Sequence, residues 1–261
     1  MLIRNIGEHF RKQDWFSVCV EIIVVIVGLF MAFQLDRWWE QRGDRQQEQA
    51  YIQRLVTEVE TDIESITYAI KLAEVRQGFA ELLMSVAKDP TAADEKPVQF
   101  LAAVAQAPFT FTPSLVSHTF DDLRATGNMG LIRNPGIKAA LYRYYSFDEA
   151  QRQFISLNLM VEFRHFELTA GVLTDDQYRF IQDNWFVVTP NDLPRLDNES
   201  VDRDEYQRAV ERLRNRPEAL SWLQRVRGLQ RELILMHGIR LSRAEALLET
   251  LEAEQMKSPI K

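Results

Sequence analysis

The residues best suited to chemistry lie on one predicted helix. Glu162-Phe-Arg-His165 is a Glu-x-x-His pair, which places a carboxylate and an imidazole on the same helical face. Helical bundles that bind two iron ions need two such helices and two further glutamates, and the sequence contains no second copy. His118 and His237 lack acids at a ligand spacing. We therefore expect no metal, no cofactor and no enzymatic activity.

Motifs, net charge and cysteine content argue against several other classes of function. The sequence has no phosphate-binding loop, no zinc-protease helix and no nucleophile elbow. The net charge is -7, and no dense block of lysine and arginine is available to bind nucleic acid. The single cysteine, Cys19, lies in an apolar run, so the rest of the chain has neither a disulfide nor a cysteine nucleophile.

Glu21 is an acid inside an apolar run, and it has two interpretations. A charge deep in a bilayer costs about 2.5–3.5 kcal/mol on insertion scales. In the first interpretation the carboxylate reaches outward or is protonated. In the second it is hydrogen-bonded across a helix-packing face, because Ser17, Glu21, Gly28 and Ala32 fall within a strip roughly 60° wide. Small residues four apart allow close helix approach, which predicts a contact with another membrane protein or with a second copy.

The element that carries Glu21 is predicted to be a transmembrane helix over Trp15–Leu35. Its length of roughly 30 Å matches one hydrocarbon core, and Trp15, Trp38 and Trp39 bracket it as interfacial anchors. No small-residue cleavage site follows the apolar run, which argues against a cleaved signal peptide. The run also has no polar face, which argues against a buried core helix. A short basic N-terminus favours an N-inside, single-pass protein of the bacterial inner membrane, with the remaining domain outside the cytoplasm.

Helical spacing continues beyond the membrane. Apolar residues step alternately by four and three, as in a heptad seam, over Ile52, Val56, Val59, Ile63, Ile66 and Ile70. This stalk seam has the same heptad frame as the membrane strip, provided that the helix continues through Gly43. It packs either against later helices of the chain or as a dimeric coiled coil.

The fold class predicted from these patterns is all-α, with a transmembrane helix that continues into a bundle of three long helices. Asp89-Pro90 ends the first of them, and further helices are expected at Val98–Ala107, from Ser114 to Gly127, at Pro135–Val172, Asp175–Asn184, Asp204–Asn215 and Pro217–Met256. The predicted organisation is a cytoplasmic N-terminus at 1–14, a transmembrane helix at 15–35, a stalk at 36–89 and a bundle packing with the stalk at 90–261.

Two stretches resemble an uncharacterised bacterial family of single-pass membrane proteins. The first runs from Val20 to Glu40, with an acid at the start of the span, a glycine in its middle and a Gln-Leu-Asp-Arg-Trp-Trp exit. The second, Thr119–Tyr145, contains Leu-Arg-Ala-Thr-Gly-Asn-Met-Gly-Leu-Ile-Arg-Asn. The sequence departs from the family pattern at Val20, where family members carry glycine. The resemblance implies a membrane-anchored helical domain and supplies no activity.

Within the second stretch, Thr126, Gly127 and Asn128 form either a structural corner between helices or a ligand-binding or partner-facing loop. Glycine fits a left-handed helix cap there. The leading hypothesis is a membrane-anchored helical interaction protein, an accessory or scaffold subunit of a membrane assembly or a homo-oligomer. The alternative is an extracytoplasmic sensor or ligand-binding module. The expected partners are the lipid bilayer and either another membrane protein or a second copy, and no nucleic acid.

Overall fold

The computed structural model describes residues 15–185 and 201–257. These residues form seven α-helices and one short 3-10 helix and contain no strand, which confirms the predicted all-α class. The α-helices are α1 Trp15–Lys88, α2 Pro97–Gln106, α3 His118–Ala125, α4 Pro135–Thr169, α5 Asp175–Trp185, α6 Arg203–Arg214 and α7 Pro217–Lys257, and the 3-10 helix is Asn128–Gly130. The three longest are α1, α4 and α7, as predicted.

The chain divides into two compact units, residues 1–51 and 52–261. The helix α1 extends through Gly43 without a break and contributes to both units. The predicted stalk, 36–89, is part of α1 as far as Lys88, and its residues from Ile52 onward belong to the second unit.

In the first unit, α1 carries a long uncovered apolar surface. The side chains from Ile22 to Leu35 are exposed, and none of the apolar stretch is buried. Among the described residues, this is the one helix long and apolar enough to cross a membrane. Trp38 and Trp39 are exposed and meet edge to face, with ring centroids 5.3 Å apart. The side chains of Trp15, Ser17 and Glu21 lie outside the described part.

The core of the second unit is built around α2. Almost every residue of this short helix is buried, including Phe100, Leu101 and its alanines, because other helices enclose it on all sides. The α2 residues share one apolar cluster with Leu72–Val86 of α1 and with parts of α4, α5, α6 and α7. Outside α2, helices α4 and α7 pack along each other in opposite directions, with Arg164 near Glu218 at one end and Asn134 bonded to Glu254 at the other.

The buried side of α1 differs from the predicted seam at every second position. Ile52, Val59 and Ile66 are buried, whereas Val56, Ile63 and Ile70 are only half-buried. The positions between them are instead filled by the buried residues Leu55, Asp62, Ala69 and Arg76. Two of these are charged, which is why apolar spacing alone selected the neighbouring β-branched residues. This side of α1 is buried within its own chain.

Helix ends marked by local signals were predicted well. Asn134 caps α4, with its side chain accepting a hydrogen bond from the Gly136 N–H at 2.9 Å. The predicted start of α3 at Ser114 was wrong, because the helix begins at His118. Before His118, the backbone of Val116 is bound instead by side chains of other helices.

Candidate functional site

The segment that connects α2 to α3, residues 107–117, begins with a turn at the buried Ala107 and Pro108 and continues to Ser117 without helix or strand; we call it the extended segment. It has no neighbouring strand among the described residues. Buried backbone N–H and C=O groups must find hydrogen-bond partners. Here the partners are side chains of three surrounding helices.

Helix α7 supplies the donors. The Gln230 amide donates to the Ala107 and Phe109 carbonyls at 2.9 and 3.0 Å. His237 Nε2 lies 3.1 Å from the Phe111 carbonyl oxygen, and Arg240 Nη2 donates to the Pro113 carbonyl at 3.1 Å. All three side chains are buried, at 0–1% exposure. We call Gln230, His237 and Arg240 the donor ladder.

The spacing of the donor ladder matches an extended chain. Side chains seven and three residues apart lie on nearly the same face of a helix, and Gln230 to Arg240 spans about 15 Å at 1.5 Å per residue. In an extended chain alternate carbonyls point the same way, and Phe109 to Pro113 spans about 13 Å at 3.3 Å per residue. The helix therefore serves the segment much as an edge strand would.

Helices α1 and α4 supply hydrogen-bond acceptors and one further donor, Tyr145. Asp62 accepts hydrogen bonds from the Val116 N–H at 2.8 Å and from the Tyr144 hydroxyl at 3.0 Å. Glu58 accepts from the N–H and hydroxyl of Thr119 at the start of α3, and Tyr145 donates to the Val116 carbonyl at 3.0 Å. Glu162 accepts from both the backbone and the side chain of Thr110.

Burial sets the protonation of these groups. Burial, and then the nearby Asp62 carboxylate, raises the pKa of Tyr144 well above its usual value, so its hydroxyl remains a donor. Burial, followed by the Arg240 charge, lowers the pKa of His237 to about 4 despite its bond to Phe111. The imidazole is therefore neutral at pH 7, and Nε2 carries the proton that it donates to the Phe111 carbonyl.

The Glu-x-x-His pair is divided between two structural tasks. Glu162 binds Thr110 and interacts electrostatically with the buried Arg76, while burial raises its pKa. His165 is 1% exposed, and its Nε2 lies 3.0 Å from the Val104 carbonyl oxygen. Burial lowers the pKa of His165 to about 4. In the described residues, no group of three histidines, cysteines or acids is placed to hold a metal ion.

The Thr126–Asn128 corner has the geometry of a helix cap. Gly127 has φ +75°, in the left-handed region, and the Thr126 hydroxyl donates to the Asp122 carbonyl at 2.7 Å. Just beyond it, Ile132 is fully buried, while Leu131 is half-buried. The corner therefore turns the chain between α3 and α4, whereas Thr126 and Gly127 themselves are exposed.

Beside this corner, aromatic side chains line a surface cleft of about 330 Å³. Phe120 stacks on Tyr145 with ring centroids 4.4 Å apart and meets Tyr142 edge to face at 5.5 Å. The Arg124 guanidinium lies 5.6 Å from the Phe120 ring centroid. The three rings and the Arg124 guanidinium therefore contact one another, and together they form a wall of the cleft.

The arrangement holds the backbone of the extended segment and the start of α3 in place. Sequence reasoning missed Asp62, Gln230 and Arg240. A usable signal for Gln230 and Arg240 lies in α7, where these polar residues interrupt the buried series that includes Leu229, Leu233 and Ala244. The predicted membrane face stands apart from this cluster in sequence. Gly28 and Ala32 are both exposed, and no atom lies within 4 Å of where a Cβ on Gly28 would be.

Comparison with known proteins found no family model, no curated protein and no solved structure that matches this chain. The resemblance of Val20–Glu40 and Thr119–Tyr145 to an uncharacterised membrane family stays a prediction.

Proposed function

We propose that this protein is a single-pass, membrane-anchored helical interaction protein, an accessory or scaffold subunit of a membrane assembly or a homo-oligomer. The observation that carries the proposal is the apolar stretch of α1. From Ile22 to Leu35 its side chains are exposed. An apolar surface of this length needs a covering of lipid or of another helix.

The second unit supports the proposal through what it keeps exposed. Its buried Asp62, His237 and Arg240 contact the extended segment, and the buried His165 contacts the Val104 carbonyl of α2. On α4, Leu159, Met160 and Phe163 lie on one face, and Met160 and Phe163 are 76% and 66% exposed. Exposed apolar residues grouped in this way are typical of contact surfaces.

The proposed orientation places residues 1–14 in the cytoplasm and the second unit outside it, in a bacterial inner membrane. The basic residues Arg4, Arg11 and Lys12 before the span support this orientation. Trp38 and Trp39 are exposed where the apolar stretch ends, and exposed tryptophans at that position suit the bilayer interface.

The test is to extract the full chain in a mild detergent and determine the mass and composition of the native particle. Stoichiometric foreign subunits would support the accessory role, and a pure oligomer would support self-association. A lone monomer that captures nothing would overturn the proposal.

A paired substitution tests the predicted membrane face. Leucine at Gly28 or Ala32 should weaken association, because the larger side chain keeps two helix backbones apart. Ile26→Leu is the matched control, since this conservative change lies on the opposite side of the helix. Association that is unchanged by Gly28→Leu and Ala32→Leu would remove this face from the proposal.

A further inference from the structure

The face of α1 that carries Gly28 and Ala32 continues past the apolar stretch with an eleven-residue repeat. Gly28 and Trp39, Ala32 and Gly43, and Leu35 and Gln46 are each eleven positions apart. A repeat of 3.67 residues per turn stays close to one side of a nearly straight helix. All six residues are exposed, and we call them the uncharged face.

The uncharged face differs in charge from the sequence around it. Six of residues 36–45 are charged; the other four are Trp38, Trp39, Gln41 and Gly43, and of these Trp39 and Gly43 lie on the uncharged face. Charges this dense on a solvated helix would be expected on every side. Their exclusion from the one side that also carries Leu35 and Trp39 indicates that this side contacts something other than water.

The charges that flank this face are sorted by sign. At 100° per residue, Asp36 and Arg42 lie about 60° to either side of its centre, and Glu40 and Arg45 lie about 110° to either side. One flank is thus acidic and the other basic. The side chains of all four residues are exposed.

We propose that the uncharged face binds a second copy of this chain in a parallel pair. A two-fold axis along two parallel helices brings the acidic flank of each copy against the basic flank of the other, on both sides of the contact. Glu40 of one copy is then offset along the axis by about 3 Å from Arg42 and by about 7.5 Å from Arg45 of the other. These offsets suit long side chains that pair across a helical seam.

The charge pattern also selects against the other packings. An antiparallel pair would place acid against acid and arginine against arginine, and like charges in contact disfavour a complex. Two copies inserted with the same orientation are parallel in any case. This inference rests on the proposed function and specifies which partner the anchor region takes.

Disulfide trapping in membranes tests the geometry of the full chain. In a Cys19→Ser background, which removes the only cysteine, we introduce Gly43→Cys or Gln46→Cys on the uncharged face. Gln41→Cys and Gln47→Cys, which lie off the face, are the controls. Mild oxidation should give disulfide-linked dimers at 43 and 46, and about tenfold less at 41 and 47. Equal trapping at all four positions, or a maximum at 41 or 47, would overturn the proposal.

A charge exchange tests the flanks independently. A chain with Asp36→Arg and Glu40→Arg has two basic flanks, and a chain with Arg42→Glu and Arg45→Glu has two acidic flanks. Each should self-associate about tenfold less than the native chain, and the two co-expressed under different tags should pair with each other. That restored pairing shows that both variants insert and fold.

Three results distinguish a failure of the parallel pair from a failure of the proposed function. Variants that each self-associate as the native chain does would overturn the parallel pair. An absence of trapped dimers at positions 43 and 46, together with a native chain that purifies with stoichiometric foreign subunits, would overturn the second copy and leave the interaction role standing. Native chains that neither self-associate nor hold another subunit would overturn both.

Discussion

Asp62 shows how a charged residue comes to occupy a buried helix seam. Its carboxylate is 1% exposed and accepts from the Val116 N–H and the Tyr144 hydroxyl. A buried polar group is tolerated when its hydrogen bonds are made. The seam predicted from apolar spacing chose Ile63 instead, because the partners of Asp62 lie 54 and 82 residues away in the sequence.

Replacing Asp62 should destabilise the second unit strongly. Asp62→Leu leaves the Val116 N–H and the Tyr144 hydroxyl buried without this acceptor, which costs about 2–4 kcal/mol in the free energy of unfolding. Tyr144→Phe should cost only about 1 kcal/mol, and Glu60→Leu, on the exposed side of α1, less than about 0.5 kcal/mol. Urea denaturation of the full chain in detergent measures all three. Equal stability of Asp62→Leu and the native chain would contradict the described role.

The buried histidines should make the second unit sensitive to acid. The pKa of His165 and of His237 falls from 6.5 to about 4 on folding, so the unfolded state binds more protons between these values. Their contribution is fully present above pH 6.5 and is lost as pH falls to about 4, by roughly 3 kcal/mol at most for each histidine.

The pH dependence is testable with matched variants. Glutamine can still donate to the Phe111 carbonyl but does not titrate, so His237→Gln should flatten the loss of stability between pH 6.5 and 4. His118→Gln, at an exposed histidine, should leave the profile unchanged. Denaturation midpoints across this pH range provide the measurement, and identical profiles for both variants would exclude His237 as a source.

At the scale of helices, the sequence signals that worked are local. Asn134 with Pro135, Gly127, and Asp89 with Pro90 mark helix ends through caps and backbone restrictions that a few residues determine. The start of α3 was missed because Leu115 and Val116 continue a helical pattern. Val116 nevertheless lies outside the helix, with its N–H bound to Asp62 and its carbonyl to Tyr145.

Two isoleucines on α1 test the corrected seam. Ile66 is fully buried and Ile63 only half-buried, so Ile66→Ala should cost about 2–5 kcal/mol of unfolding free energy. Ile63→Ala removes the same atoms from a partly solvated position and should cost clearly less. Thermal unfolding of the two variants decides between the seams, because the sequence-predicted seam requires equal losses.

Gly127 is required by its backbone conformation rather than by crowding. A Cβ there would meet no atom within 4 Å, but φ is +75°. Gly127→Ala should therefore destabilise by about 1–2 kcal/mol. Gly130→Ala has the same open surroundings without a positive φ and should be close to neutral. Melting temperatures that fall equally for both variants would contradict the backbone explanation.

At the scale of the whole molecule, periodicity predicted the order and class of the helices, and it did not predict the candidate site. The donor ladder joins residues separated by 121 to 127 positions, and no local pattern encodes such a pairing. The first unit is the reverse case, because an uninterrupted apolar helix is legible from its sequence alone.

Attachment of the whole chain to a membrane is expected to depend on the apolar stretch of α1. The full chain should remain with the membrane fraction after extraction at alkaline pH. Arginine at both Val24 and Val27 should shift it to the soluble fraction, because each charge near the bilayer centre costs about 2.5–3.5 kcal/mol. Leucine at the same two positions is the control and should leave attachment intact. A native chain released by alkali would argue against a spanning anchor.

The extended segment also has a consequence for how the chain is made. Its acceptors on α1 are synthesised before it, but Gln230, His237 and Arg240 lie in the last helix. Until that helix emerges from the ribosome, the carbonyls of the segment and the apolar surface of α2 cannot be fully covered. Contacts between such distant residues form slowly, and incompletely covered apolar intermediates tend to aggregate. Helix α7 is thus required before the extended segment and α2 are fully covered.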